Sequence, residues 1–321
     1  MKKFFITGIN YPLSLYYSYL LPLFRIDKLG GRALEFTKVY GECRGLKCLY
    51  KDSTLECYVP SSCSEESLQG LLGIKLKPII DKLLHKLSLK KRVKVLKEFT
   101  LVFSPKDRAY VFTSIYLSRN TDYYANTVKW MKSVIANKCL DTPTRCLGLY
   151  KSYQYREYLK AIPALKTIIY KNKSALDEAA ELMGIRGFGV KSAMAYLLHA
   201  YGMTHYAPID RHYERILTRI GISGKKPSKS QCIKARLRCV DCLFSQECIY
   251  GIASKRLGRF NGVLQSIGYT YSRVHEVVSG RIKPRHFEEE ILFGIDIELL
   301  VLEAEELFEE IRERLRWSIQ L

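Results

Sequence analysis

The chain has 321 residues, 52 Lys plus Arg against 32 Asp plus Glu, and a formal net charge of +20. With 47% hydrophobic residues it is too apolar for a disordered chain, and its apolar residues are spread too evenly for a membrane protein. A pI near 9.4 points to a polyanionic partner, nucleic acid ahead of an anionic membrane surface.

The N-terminal stretch MKKFFITGINYPLSLYYSYLLPLF places two lysines before an apolar run, as a secretory signal does. Asn10, Pro12, Pro22 and the polar-tipped Tyr11, Tyr16, Tyr17 and Tyr19 interrupt it, and no small-x-small site follows, so no leader or anchor is expected. Residues 33–60 read as antiparallel strands. Leu34 and Phe36, then Leu55, Cys57 and Val59, alternate with polar neighbours, and Asp52-Ser53-Thr54 offers a hairpin turn. From Pro78 the period becomes helical, with Ile79, Ile80, Leu83, Leu84 and Leu87 on one face. The Lys/Arg run at 90–97 reads as a solvated face. Residues 106–220 are a succession of short helical patterns broken by Gly, Pro, Asn or Ser. The charge then changes sign: His286 to Leu321 hold 11 acidic and 3 basic side chains, which leaves +28 on residues 1–285. This terminal segment reads as an amphipathic helix packed on its own domain, with Ile297, Leu300, Ala304, Leu307, Ile311 and Leu315 as its apolar stripe.

The densest signal is Ser174-ALDEAAELMGIRGFGVKSAMAYLLHAYG. Ser174 is an N-cap, Leu176, Ala179, Ala180 and Met183 mark a short helix, and Gly187-Phe188-Gly189 turns the chain into a second helix from Val190 to Tyr201. Such a hairpin exposes backbone N–H groups at a helix N-terminus, where a phosphate can approach a chain without Cβ atoms. Lys191 stands at the start of that second helix. Pro208-Ile209-Asp210-Arg211-His212-Tyr213-Glu214-Arg215 follows after a short loop.

On these residues the chain resembles the helix-hairpin-helix DNA glycosylases with the Gly/Pro-rich loop and Asp. GIRGFGVKSA is similar to that family's hairpin, and PIDRHYERI to its Asp-x-His-x-x-Arg segment. Arg186 stands where most members have Pro, and adds a candidate phosphate contact. The resemblance implies that Asp210 stabilises the positive charge developing on the sugar as the base departs. It implies that Lys191 attacks C1′ through its neutral amine, forming a Schiff base from which β-elimination cuts the strand. Leu117-Ser118-Arg119-Asn120 resembles the strand-insertion loop, with Asn120 filling the gap left by an everted base. Arg119, Gly187, Gly189 and His212 complete the expected DNA contacts, and Asn261 and Gln265 are guesses for the base pocket.

Cys232, Cys239, Cys242 and Cys248 have the spacing C-x6-C-x2-C-x5-C. Four thiolates so close in sequence suit tetrahedral zinc or an iron–sulfur cluster, and donor chemistry alone leans to zinc. The spacing resembles the [4Fe–4S] loop of the endonuclease III and adenine glycosylase branch, which implies a cluster instead. Here the loop begins 22 residues after Asp210, ahead of Arg259-FNGVLQSIGYTYSR, so it is inserted or relocated. Lys225, Lys226, Lys229, Lys234, Arg236, Arg238, Lys255 and Arg256 flank it as a phosphate-backbone surface.

The Lys191 to Asp210 interval, Pro208 and the strand-rich N-terminus resemble the 8-oxoguanine glycosylase branch, although Ala195 stands where that branch has a cysteine. The expected architecture is α+β: a mainly α-helical two-lobed core behind an N-terminal antiparallel β-domain. The segments are 1–100 (β-rich), 101–222 (helical core, hairpin at 174–201), 223–255 (four-cysteine loop), 256–285 (returning core helix) and 286–321 (acidic helix). The expected activity is a bifunctional glycosylase and abasic-site lyase on oxidised bases such as 8-oxoguanine. The alternatives are an endonuclease III-like enzyme for oxidised pyrimidines and a non-catalytic iron–sulfur DNA-binding module. The expected partner is double-stranded DNA with a damaged base or abasic site, met as a monomer away from membranes, in the cytoplasm at the nucleoid or in a nucleus.

Overall fold

The computed structural model describes residues 2–30 and 33–316. Five strands, β1 (Lys2–Thr7), β2 (Phe24–Lys28), β3 (Leu34–Lys38), β4 (Lys47–Lys51) and β5 (Thr54–Val59), form an antiparallel sheet in the order β1-β5-β4-β3-β2. The alternation in 33–60 becomes β3 to β5, with Leu34, Phe36, Cys48, Tyr50, Leu55 and Cys57 buried. Asp52 and Ser53 form the two-residue turn, both with positive φ (48° and 59°), which matches the twist of the flanking strands. The sequence reading missed β1 and β2. As an edge strand, β1 exposes both faces and so carries no period-two signal.

The interrupted apolar run packs into the core. Asn10 caps α1 (Tyr11–Tyr16) by accepting from the Leu13 amide at 2.9 Å, and every residue of the helix is buried. The remaining helices are α2 (Glu65–Leu71), α3 (Lys77–Lys86), α4 (Arg108–Leu117), α5 (Val128–Ala136), α6 (Tyr153–Ile169), α7 (Ala175–Leu182), α8 (Val190–Tyr201), α9 (Arg211–Arg219), α10 (Lys229–Lys234), α11 (Ile249–Leu257), α12 (Asn261–Val278), α13 (His286–Leu292) and α14 (Ile297–Arg316). One hydrophobic cluster joins them to the sheet, from Tyr11 to Leu315. None of the described helices is long and apolar enough to cross a membrane.

The acidic C-terminal segment is two helices rather than one. The chain bends at Gly294, where a Cβ would stand 2.6 Å from Pro12 Cγ. Residues 317–321 of the expected helix lie outside the described residues. Buried Leu300, Ala304, Leu307, Ile311 and Leu315 seat α14 on α12, α9 and the turn at 96–98. The basic side chains of 90–97 are exposed, as expected of a solvated face, but the segment makes specific contacts that the sequence reading did not assign. Glu303 accepts the backbone N–H groups of Lys94, Val95 and Leu96 at 2.5, 3.1 and 2.7 Å, and Arg92 pairs with Glu306 and Glu310.

A buried polar network ties the two ends of the chain together. Glu288 on α13 is fully buried and receives Arg273 Nε and Nη2 at 2.8 Å each and the Tyr16 hydroxyl at 2.7 Å. Arg273 also reaches Asp122 at 3.0 Å. Burial works against the Arg273 charge, but the Glu288 bonds outweigh it and raise its pKa.

The six cysteines outside the four-cysteine loop, which the sequence reading left unassigned, form disulfides. Cys48 and Cys57, directly opposed on β4 and β5, are bonded, as are Cys43 with Cys63 and Cys139 with Cys146. Unfolded without reductant, the chain should therefore titrate four thiols, and with reductant all ten. The Cys43–Cys63 link closes a 20-residue separation, so Cys43→Ser should cost about 3 kcal/mol in chemical denaturation by the loop-entropy estimate.

Candidate active site

Phe188 anchors the hairpin by stacking on Phe112 of α4, with ring centroids 4.7 Å apart. The Tyr116 hydroxyl donates to the Arg186 carbonyl at 2.7 Å. Gly187 adopts φ +82°, and a Cβ there would lie 1.7 Å from Arg119 Nη1. Arg119 itself lies over the Tyr116 ring, 3.5 Å from its centroid, and donates from Nε to the Tyr116 carbonyl. The turn and the Arg119–Asn120 loop are thus packed as one unit. Gly189, the N-cap of α8, has no side chain to occupy the first amides of the helix, and a Cβ added there meets nothing within 4 Å. That helix N-terminus is open to an anion. Arg186 extends beside it, its side chain 93% exposed.

Behind the hairpin is a cleft of ≈ 760 Å³ whose lining includes Lys191, Asp210, Arg119, Asn120, His212 and Gln265. Arg186, Gly187 and Gly189 stand outside its lining, on the hairpin. Two helices build the walls by their periodicity. Lys191, Ala195 and His199 face it from α8 at every fourth residue, and Gln265, Tyr269 and Arg273 do so from α12. Lys191 is exposed in the first turn, whereas Ala195 and His199 are buried. Asp210 has two duties. Its Oδ1 caps α9 by accepting the His212 and Tyr213 amides, both at 2.9 Å, while the side chain also lines the cleft. Burial lowers the pKa of His212, with Asp210 opposing, and its ring meets the Tyr269 ring edge-on at 6.1 Å.

Asn120 caps no helix. It sits in the left-handed region (φ 51°) and donates to the Tyr153 hydroxyl at 3.3 Å, while Gln154 holds the Arg119 and Asn120 carbonyls. Asn261 does not belong to the pocket, which corrects one of the two guesses. It is buried between the Tyr213 hydroxyl (2.7 Å) and the His205 carbonyl (2.9 Å), fixing α9 to α12.

Sequence reasoning missed the aromatic half of the cleft: Tyr17, Tyr19, Tyr123, Tyr124 and Tyr269, with His199. The four-residue repeat from Lys191 would have found His199. Nothing local would have found Tyr17 and Tyr19, which reach the site through the packing of α1.

Cys232, Cys239, Cys242 and Cys248 are free thiols that line one small pocket between α10 and α11. Burial and their mutual repulsion raise the pKa of Cys239, and that of Cys232 to about 11. Among the described residues no three His, Cys, Asp or Glu side chains are gathered closely enough to hold a metal ion. Several flanking cations are already paired, contrary to an all-phosphate surface: Lys225 with Glu247, Lys226 with Glu214 and Arg236 with Asp177, each at 2.8 Å.

The two hairpin glycines should respond differently to alanine. Gly187→Ala meets a positive φ and the Arg119 guanidinium, and should lower stability by about 2 kcal/mol in chemical denaturation. Gly189→Ala should stay within about 0.5 kcal/mol of the parent, losing only the modest preference of an N-cap for Gly over Ala.

No family model matches the chain, and no curated protein does. Solved structures do match. MBOgg1 in complex with a low-affinity DNA ligand superposes with a TM-score of 0.53 at 15% identity, covering 85% of this chain and 96% of that one. The Clostridium acetobutylicum 8-oxoguanine glycosylase/lyase, bound to double-stranded DNA with cytosine opposite 8-oxoguanine, gives 0.54 at 11% identity, with 84% and 94% covered. The 3-methyladenine DNA glycosylase from Archaeoglobus fulgidus gives 0.50 at 14% identity, with 85% and 99% covered. At these identities the likeness is one of architecture: the chain has the fold of these DNA glycosylases.

Proposed function

We propose that the chain is a DNA glycosylase with abasic-site lyase activity, acting on a base turned out of duplex DNA, with oxidised purines such as 8-oxoguanine as its leading substrates. The observation that carries this reading is that Lys191 and Asp210 line one cleft beside a helix N-terminus with no side-chain cap. The hairpin amides and Arg186 would grip the backbone, and Asn120 would fill the space left in the duplex. Asp210 is fixed in place by its cap bonds, so its carboxylate meets the oxocarbenium-like sugar without reorganising. The neutral Lys191 amine then bonds to C1′ as the C1′–N bond breaks, and the base leaves with the electron pair and gains a proton. Ring opening gives the imine, loss of a C2′ proton follows, and the 3′ phosphate departs. The basic excess outside the acidic helices supplies grip that fades with salt.

Support for the substrate class comes from the two solved structures described as Ogg1 and 8-oxoguanine glycosylase/lyase. A panel of duplex oligonucleotides, each carrying one lesion, should show base loss and strand cleavage on oxidised purines first. Borohydride should trap a protein–DNA adduct that Lys191→Ala abolishes, and Asp210→Asn should slow base loss by about 10²–10³-fold. An undiminished adduct in Lys191→Ala removes the nucleophile assignment. Inactivity on every lesion and on a plain abasic site leaves only a DNA-binding module.

We further propose that the four free cysteines hold a [4Fe–4S] cluster that staples the loop between α10 and α11, with zinc as the alternative. Four cysteines without disulfide partners that line one pocket are a donor set that a cationic core would draw together from the wider spacing they have here. When bound, the cluster would supply structural cross-linking, with no redox step required. Protein purified without oxygen should be brown, with a broad visible absorption, iron and acid-labile sulfide, all lost in Cys239→Ser. Colourless protein with stoichiometric zinc overturns the cluster.

A further inference from the structure

Two side chains that line the cleft, His199 and Tyr17, each bury a polar atom sealed from solvent, Nδ1 and Oη. Their rings are neighbours, with centroids 5.4 Å apart, and Tyr19 meets His199 edge-on at 4.9 Å. Ser266 donates to the Gly262 carbonyl at 2.8 Å and keeps its lone pairs to accept from the Tyr17 hydroxyl beside it, which leaves His199 Nδ1 as the atom without a partner. Buried polar atoms without partners are costly and few in folded proteins. One on a side chain that lines a ligand cleft suggests a partner that arrives with the ligand.

The position of His199 along α8 defines which part of the ligand that is. His199 lies eight residues beyond Lys191 on the same face, about 12 Å along the axis. Lys191 is exposed at the mouth, and His199 is 2% exposed at the floor. Burial holds the His199 pKa at about 3, so the imidazole is neutral, with one nitrogen donating and the other accepting. Gln265, 4% exposed on the facing helix, adds a carboxamide with the same dual capacity.

We infer that His199, assisted by Tyr17, is a specificity-determining residue that hydrogen-bonds the edge of the extruded base remote from the sugar. The inference rests on the glycosylase reading and deepens it. A floor of this kind selects a neutral base that presents a donor and an acceptor side by side on that edge. A guanine ring does so, with N1–H beside C6=O on its Watson–Crick edge, so this floor reads the identity of the ring, while the N7–C8 edge that oxidation changes lies beside the sugar. The enclosed ring leaves no charge at the floor to attract a cationic alkylated base.

The test is His199→Phe, which keeps an aromatic ring and removes both nitrogens. In single-turnover assays on the lesion that the parent protein excises best, base release should fall at least about ten-fold, the loss expected for one buried hydrogen bond. Strand cleavage at a preformed abasic site, which has no base to hold, should stay within about two-fold on the same reasoning. His199→Gln should restore part of the base release, and Tyr17→Phe should show a smaller loss. Full base release by His199→Phe overturns the inference, and so does a parallel loss of both activities, which assigns His199 to the fold. A parent protein that excises no base removes the glycosylase reading and this one with it. A parent that excises normally beside an unaffected His199→Phe removes only this one.

Discussion

The buried pair of Arg273 and Glu288 is the constraint on which the cleft depends. A carboxylate with no solvent exposure must be fully bonded, and Glu288 meets that demand from three directions. Arg273 comes from α12, Tyr16 from the end of α1, and the Arg285 amide from the entry to α13. Through its remaining N–H, Arg273 also holds Asp122, just beyond the Asn120 loop. Segments from both ends of the chain are thereby fixed against one wall of the site. The tyrosine hydroxyls extend that fixation. Tyr124 donates to the Tyr16 carbonyl and Tyr123 to that of Ser18, at 2.5 and 2.8 Å, which brings Tyr17 and Tyr19 into the cleft.

The opposite wall follows from a close approach. Gly187 makes room for the Arg119 guanidinium, so the hairpin and the loop bearing Asn120 cannot move independently. Gly189, by contrast, answers to no internal contact. The pair separates a glycine required by the chain's own packing from one that leaves open space, and only the second is available to a ligand. Charge is organised in the same way. The acidic α14 spends Glu303, Glu306, Glu309 and Glu310 on backbone amides, Arg92 and Arg219. Much of the negative excess is thus consumed internally, and the rest of the surface remains basic.

The ten cysteines fall into two classes by geometry. Six are paired, most of them beside β4 and β5, and four stay free around a common pocket. Disulfides are rare in reducing cell interiors, but persist in intracellular proteins of hyperthermophiles.

Short-range features were legible in the sequence because their causes are local. Glycines at a turn, the Ser174 cap, the two-residue β4–β5 turn and the apolar stripe of α14 each follow from a few adjacent residues. The pairing of Lys191 with Asp210 came from resemblance, and their shared cleft needed only a hairpin and a short loop to form. The rest was set by contacts between residues far apart in the chain. Asn261 and Gln265 lie one turn apart on the same face of α12, and only the packing of the whole chain decides that the first bonds Tyr213 of α9 while the second lines the pocket. Strand β1 pairs with β5 more than forty residues later, and Tyr17 meets His199 across 182 positions. Periodicity tells which face of an element is buried, but which neighbour buries it is decided by the packing of the whole chain.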